Sequence, residues 1–241
     1  MNSNIKIYET LEQGTDEWLE VRRGKITASI VKNLLTGKFA ISKNAQIKLL
    51  AFQLASERIT GRVQEKFETF DMKRGHIEEE LARELYREHY APVKEVGFIE
   101  NTALGFSPDG LVGDDGFIEI KSRQPKFQVQ TFYENEVPDE YMCQMQTGLI
   151  VTERDWCDYV QYSNGMPLFV KRVTRNEEII TNILIAVCMF ETQIRDIVST
   201  YQANLGDAPV ADYIKDFFNT GAGEFDFDPF SDVPDLTQKG E

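Results

Sequence analysis

At residue 93 the hydrophobic period of the chain changes from that of helices to that of strands. VKEVGFIE (93–100) alternates apolar and polar residues, the pattern of a half-buried strand. ALGFSPDGLVGDDGFIEIKS (103–122) then reads as strand, turn, short strand, tight turn and strand, punctuated by Gly110, Gly113 and Gly116. WCDYVQYS (156–163) and LFVKRV (168–173) predict a hairpin across Asn164-Gly165. Before residue 93 the spacing is helical. A helix over 15–23 has Thr15 as N-cap and Gly24 as its stop, and Thr27 can cap a second over ASIVKNLL. Residues 45–60 and the charged 76–90 follow, the latter ending before Pro92. Further helices are expected over 139–151 and 176–202. Helices on both sides of a central run of strands predict an α/β domain of the α+β kind. Its core is a central mixed β-sheet, mostly antiparallel, flanked by helices.

Residues 207–241 are rich in Gly, Asp and Pro and carry Phe225, Phe227 and Phe230 among Asp226, Asp228 and Asp232. The expected organisation is therefore a folded domain over 1–206 and an acidic tail over 207–241, either solubilising or a docking segment for a partner. The formal net charge of the 241 residues is −14, which argues against a simple nucleic-acid binder. Its distribution is uneven. Residues 1–75 carry 13 Lys+Arg against 9 Asp+Glu, so the N-terminal third is locally basic. No apolar run approaches the length of a membrane span, and no basic stretch followed by an apolar one opens the chain. Cys143, Cys157 and Cys188 are scattered without metal-ligand spacing and are expected to be reduced core thiols. A cytoplasmic location is the expectation.

Glu119 and Lys121 are two residues apart in a predicted strand, so both side chains leave one face of the sheet while Ile118 and Ile120 leave the other. Asp109 sits in the turn Ser107-Pro108-Asp109-Gly110, and the return at Gly113-Asp114-Asp115-Gly116 can bring it beside Glu119. E-x-K alone is common as a surface ion pair. A Pro-Asp before it, with nine residues between Asp109 and Glu119 in a Gly-marked hairpin, is a sharper pattern. Two adjacent carboxylates repel unless a cation lies between them, and hard oxygen ligands suit Mg²⁺ or Mn²⁺. Such a metal polarises a phosphate and acidifies a bound water, and Lys121 can orient or deprotonate that water or steady the phosphate's charge.

This pattern resembles the PD-(D/E)xK nuclease superfamily, and flanking motifs narrow the resemblance. Gln13-Gly14 through Trp18, Arg22-Arg23-Gly24 and Ile26-Thr27-Ala28-Ser29 look like the N-terminal signature of the phage lambda exonuclease (YqaJ-type viral recombinase) family. Gly75-His-Ile-Glu-Glu79, Ser107-Pro108-Asp109-Gly110, Ile118-Glu119-Ile120-Lys121 and Tyr141-Met142-Cys-Gln144-Met-Gln146 are similar to its later motifs, in family order.

The resemblance implies a restriction-endonuclease-like core and a Mg²⁺-dependent exonuclease. It would digest one strand of linear duplex DNA from a 5′-phosphorylated end, leaving 3′ single-stranded overhangs for strand annealing. Asp109, Glu119 and the Ile120 main-chain carbonyl would be metal ligands. Lys121 would be the catalytic lysine, and Glu79 would support a second metal or the water network. Arg22, Ser29 and Ser107 would hold the 5′-phosphate, and Gln144 would line the site. Mg²⁺ is the implied cofactor, with Mn²⁺ as a substitute and two ions per site. The implied partners are duplex DNA ends, two further copies of the chain in a ring-shaped homotrimer, and a single-strand annealing recombination protein. Two departures from the family pattern are Thr147 after the second glutamine and Ser122-Arg123-Gln124-Pro125 after the lysine, where relatives often carry an aromatic and Cys-Pro.

Two alternatives share these residues. One is a structure-specific endonuclease or junction resolvase with the same core, which has no use for a terminal-phosphate pocket. The other is a non-catalytic DNA-binding protein on the scaffold, against which the intact Asp109, Glu119 and Lys121 argue.

Overall fold

A computed structural model describes residues 4–42, 44–63 and 70–211. The elements run β1 (Ile5–Tyr8), α1 (Asp16–Arg22), β2 (Ile26–Thr27), α2 (Ala28–Val31), α3 (Ala45–Thr60), α4 (Phe70–His89), β3 (Phe98–Asn101), β4 (Leu104–Phe106), β5 (Gly110–Val112), β6 (Gly116–Ser122), α5 (Pro125–Glu134), α6 (Asp139–Thr152), β7 (Trp156–Tyr162), β8 (Phe169–Thr174) and α7 (Glu177–Leu205), with a 3₁₀ turn (Lys32–Leu34) after α2. This is the expected mixed α/β architecture. The strands form two four-stranded sheets, ordered β1-β3-β4-β2 and β5-β6-β7-β8. Each contains one parallel pair, β2 with β4 and β6 with β7, and is otherwise antiparallel. The chain passes from the first sheet to the second through Ser107-Pro108-Asp109, where proline has no N–H to continue the β4 ladder.

Local chemistry accounts for most boundaries. The Thr15 side chain accepts from the Trp18 N–H at the start of α1, and Asn44 does the same for Ile47 at the start of α3. Thr27 precedes α2 as expected but caps nothing, because its hydroxyl bonds the Ser29 hydroxyl at 3.1 Å. The helix expected over ASIVKNLL is correspondingly short, one α turn followed by the 3₁₀ turn. The strand expected over 93–100 begins only at Phe98. Gly97 backs directly onto the Leu11 carbonyl, so close that a Cβ there would lie 1.9 Å from its oxygen. Before it, Lys94 pairs with Leu111 as an isolated bridge rather than extending β3.

Two apolar clusters fix the second sheet. On one face Phe117 and Tyr159 join the main core with Phe106, Leu149 and Ile183. On the other, Ile118, Ile120 and Val160 pack with Ala82 and Tyr86 of α4. β6 is thus covered by α4 on its isoleucine face, and its other face carries Glu119 and Lys121. Helix α6 packs on α2, β3, β4 and β7. Cys143 and Cys157 are core thiols as expected, whereas Cys188 is exposed on α7. No helix among the described residues is long and apolar enough to cross a membrane. The chain divides into two units, Met1–Asn204 and Leu205–Glu241. The tail's Phe225, Phe227 and Phe230 lie outside the described residues.

Candidate active site

Strand β6 is the spine of the site. It is flanked by β5 and β7 and buried from Gly116 to Ile120, so its side chains are held in register by the sheet. Alternation sets Glu119 and Lys121 on one face. Glu119 is 1% exposed, a charged group at the edge of the core.

Asp109 reaches β6 from the turn before β5. The β5 ladder ends with Gly110 opposite Ile118, so Ile120 extends past it. There the Asp109 side chain takes the place of a strand and accepts the Ile120 N–H at 2.5 Å. The main chain of Asp109 is itself fixed, because Arg83 of α4 donates Nε to its carbonyl at 2.7 Å. The hairpin therefore brings Asp109 beside Glu119, and the peptide of Ile120 is anchored against that carboxylate.

Glu119 is held asymmetrically. Its Oε1 accepts from Lys121 Nζ at 2.5 Å and from the Gln144 side-chain amide at 2.6 Å. Its Oε2 is buried without a hydrogen-bond partner. A buried carboxylate oxygen lacking a donor is costly and calls for explanation. A hard divalent cation would satisfy it, since such ions take carboxylate and carbonyl oxygens. Asp109, Glu119 and the adjacent Ile120 peptide supply that chemistry. Among the described residues no group of three or more His, Cys, Asp or Glu side chains is placed to hold an ion by itself. Glu79 lies within electrostatic reach of both carboxylates, but its Oε1 is bonded to Arg83.

The electrostatics agree with that fit. Burial pushes Glu119 up to about 7, against the nearby Lys121 charge. Burial and then the Asp109 charge push Glu79 up to about 8, against Arg83. Asp109 is also raised by burial, opposed by Lys121, the Ile120 N–H and Arg83. Burial disfavours the Lys121 ammonium, but the Glu119 and Asp109 charges outweigh it and hold its pKa above the ordinary lysine value. A lysine so held is protonated at neutral pH, which suits orienting a water or steadying a phosphate more than accepting a proton.

Arg22 and Ser107 are brought together at the open end of the first sheet. Arg22 donates to the Ser107 hydroxyl at 3.0 Å, and its guanidinium stacks 4.0 Å from the Trp18 ring centroid. Trp18 donates Nε1 to Ser107 at 3.1 Å and to the Gly97 carbonyl at 3.1 Å. Burial lowers Arg22 to about 10, with Glu57 opposing, so it stays charged at neutral pH. Ser29 is exposed and bonded to Thr27 rather than to Arg22. The parallel register nevertheless sets Thr27 beside Gly105, so Ser29 and Ser107 follow at the same end of the β2–β4 pair. The Pro108 carbonyl between Ser107 and Asp109 accepts from Gln13, which ties the two groups of residues through one turn.

Four further residues belong to this architecture. Arg83 bridges Glu79 and the Asp109 carbonyl, and its i,i+4 spacing from Glu79 on α4 was the available signal. Trp18, half-buried, orients Ser107 through its indole N–H. Glu78, the rival of Glu79 by position, is 5% exposed and accepts from the Ser122 hydroxyl and the Asn164 N–H, so it braces the sheet instead. Gln146 likewise is structural, bonding the Thr174 carbonyl and the Asn176 N–H.

Residues 17–155 match the YqaJ-like viral recombinase domain family. Among solved structures the chain is similar to an alkaline exonuclease (LHK-Exo) from Laribacter hongkongensis, with 34% identity, a TM-score of 0.71, and 78% of this chain and 97% of that one covered. The same protein in complex with dAMP gives 34% identity, a TM-score of 0.70 and the same 78% and 97% coverage. A phage-related exonuclease from Haemophilus somnus 129PT shares the fold at 14% identity and a TM-score of 0.56, covering 73% of this chain and 96% of that one. No curated protein matches the chain.

Proposed function

The chain belongs to the YqaJ-like viral recombinase domain family, and from that premise we propose that it is a Mg²⁺-dependent exonuclease. Its substrate is linear double-stranded DNA, one strand of which it degrades 5′→3′ from a phosphorylated end. The product is a 3′ single-stranded overhang suited to recombination by strand annealing. The observation that carries this is Glu119: Lys121 and Gln144 both donate to its Oε1, and its Oε2 is buried without a partner, beside Asp109.

Asp109, Glu119 and the Ile120 main-chain carbonyl would hold the cation, and Glu79 would support a second one or the water network. When bound, Mg²⁺ or Mn²⁺ supplies Lewis acidity at the scissile phosphate and lowers the pKa of a water. The protein's own residues do the rest. Gln144 and Lys121 fix one oxygen of Glu119 and so aim the other. Lys121 lies at the mouth of the site, half-buried, where its ammonium can steady phosphate charge. Arg22, backed by Trp18, offers a planar fork to a terminal phosphate, and Ser107 and Ser29 add hydroxyls. Such a pocket supports an end-dependent exonuclease over an endonuclease or resolvase.

The locally basic N-terminal third within an acidic chain supports a ring-shaped homotrimer whose lining holds DNA, a state that native mass measurement would test. The acidic tail supports docking of a single-strand annealing protein. Unchanged partner binding after deletion of 207–241 would remove that idea. The activity itself is tested with linear duplex bearing 5′-phosphate or 5′-hydroxyl ends. Digestion that requires Mg²⁺ and favours the phosphate supports the proposal, and equal digestion of both ends contradicts the 5′-phosphate pocket.

A further inference from the structure

Past Lys121 the same face of β6 carries a second cation. The Arg123 N–H donates to the Tyr162 carbonyl at 3.0 Å, so strand geometry continues one residue beyond Ser122. Glu119, Lys121 and Arg123 therefore follow one another on one face, at a rise of roughly 6.6 Å per two residues. That step is of the order of the spacing between neighbouring phosphates of one strand. Both cations border one ring: Lys121 Nζ is 5.5 Å and the Arg123 guanidinium 5.6 Å from the Tyr141 centroid. Arg123 also lies 4.6 Å from the Phe127 centroid, which keeps its planar fork in place.

An anion already occupies that fork. Glu140, more than half exposed in the first turn of α6, accepts from Arg123 at 2.9 Å, while Arg123 itself is 14% exposed. A carboxylate on a pre-set guanidinium is the same chemistry as a phosphate on it. Resting on the nuclease function proposed above, we infer that Arg123 binds the DNA phosphate next to the scissile one, and that Glu140 holds its place in the free protein.

The test is steady-state digestion of linear 5′-phosphorylated duplex by the full chain in Mg²⁺ over a series of salt concentrations. Arg123→Gln should raise KM about 10-fold with kcat little changed, as for loss of one charged hydrogen bond. It should also flatten the salt dependence of KM by about one phosphate contact. Arg123→Lys should keep the wild-type salt dependence. Glu140→Gln should lower KM, because it frees the fork. A purely bracing role for the Arg123–Glu140 pair makes the opposite prediction: Glu140→Gln then raises KM as Arg123→Gln does, with unchanged salt dependence, and the inference fails. Should Arg123→Gln not fold, Glu140→Gln decides alone, since a raised or unchanged KM overturns the inference. Absence of digestion by the wild-type chain would instead overturn the nuclease function itself.

Discussion

Gln144 of α6 donates its side-chain amide to Oε1 of Glu119 on β6 at 2.6 Å, on the oxygen that also takes Lys121. The bond crosses from helix to sheet, and the other oxygen of this buried carboxylate is left without a partner. Gln144→Ala should weaken Mn²⁺ or Mg²⁺ binding, measured by calorimetry, and nuclease activity by about 10–100-fold. Melting of the metal-free protein should change little. Unchanged metal affinity would show that Glu119 needs no orientation from α6.

Stability without metal should depend on pH with a definite sign. Glu119 and Glu79 are held at about 7 and about 8 in the fold, above the value of 4.5 for a free glutamate. The folded state then binds protons more tightly than the unfolded one. The stability this contributes is complete below pH 4.5 and is lost as pH rises through about 7 to 8. In chelator the Tm should therefore fall from pH 6 to pH 9, and Glu79→Gln should flatten the fall. Mg²⁺ should raise Tm more at pH 9 than at pH 6, because it competes with protons for the same oxygens. A Tm in chelator that is insensitive to Glu79→Gln across this range would contradict the electrostatics.

Arg22 combines a planar fork with a Trp18 stack, and lysine reproduces neither. Arg22→Lys should reduce the preference for 5′-phosphate over 5′-hydroxyl ends by about 10–100-fold, the worth of a charged hydrogen bond. Ser107→Ala should reduce it less. The readout is the ratio of initial rates on the two ends, and an unchanged ratio would move the terminal-phosphate pocket elsewhere.

Gly148 lies one turn after Gln144 on the same helix. A Cβ there would stand 2.6 Å from the Phe117 ring and 2.9 Å from the Phe106 ring. Gly148→Ala should cost about 1–3 kcal/mol by overpacking, seen in denaturant melts, and should lower activity by shifting α6 away from Glu119. Full stability in the variant would show that α6 moves freely over the sheet.

The candidate site was legible where chemistry and period coincide. Glu119 and Lys121 share a face because strands alternate, and Asp109 reaches Glu119 because glycines mark the return. In the sequence only the family motif beginning at Gly75 separates Glu79 from Glu78; in the fold Glu79 lies within electrostatic reach of the carboxylates and Glu78 braces Ser122. β1 and α5 were not anticipated. IKIY is too short to show a period, and β1 exists only through its pairing with β3. The apolar residues of α5 are partly solvent-facing, with Val129, Phe132 and Tyr133 exposed, so it carries no clean amphipathic stripe. The division into two sheets depends on the path through Pro108, which a sequence pattern of strands does not specify.

The most direct test pairs linear and closed-circular duplex with Mg²⁺ or chelator, for the wild-type chain and for Lys121→Ala. Digestion of the linear form alone is expected, from its 5′-phosphate ends, abolished by chelator and reduced by orders of magnitude in Lys121→Ala. Cleavage of the closed circle, or digestion that survives chelator, would contradict it.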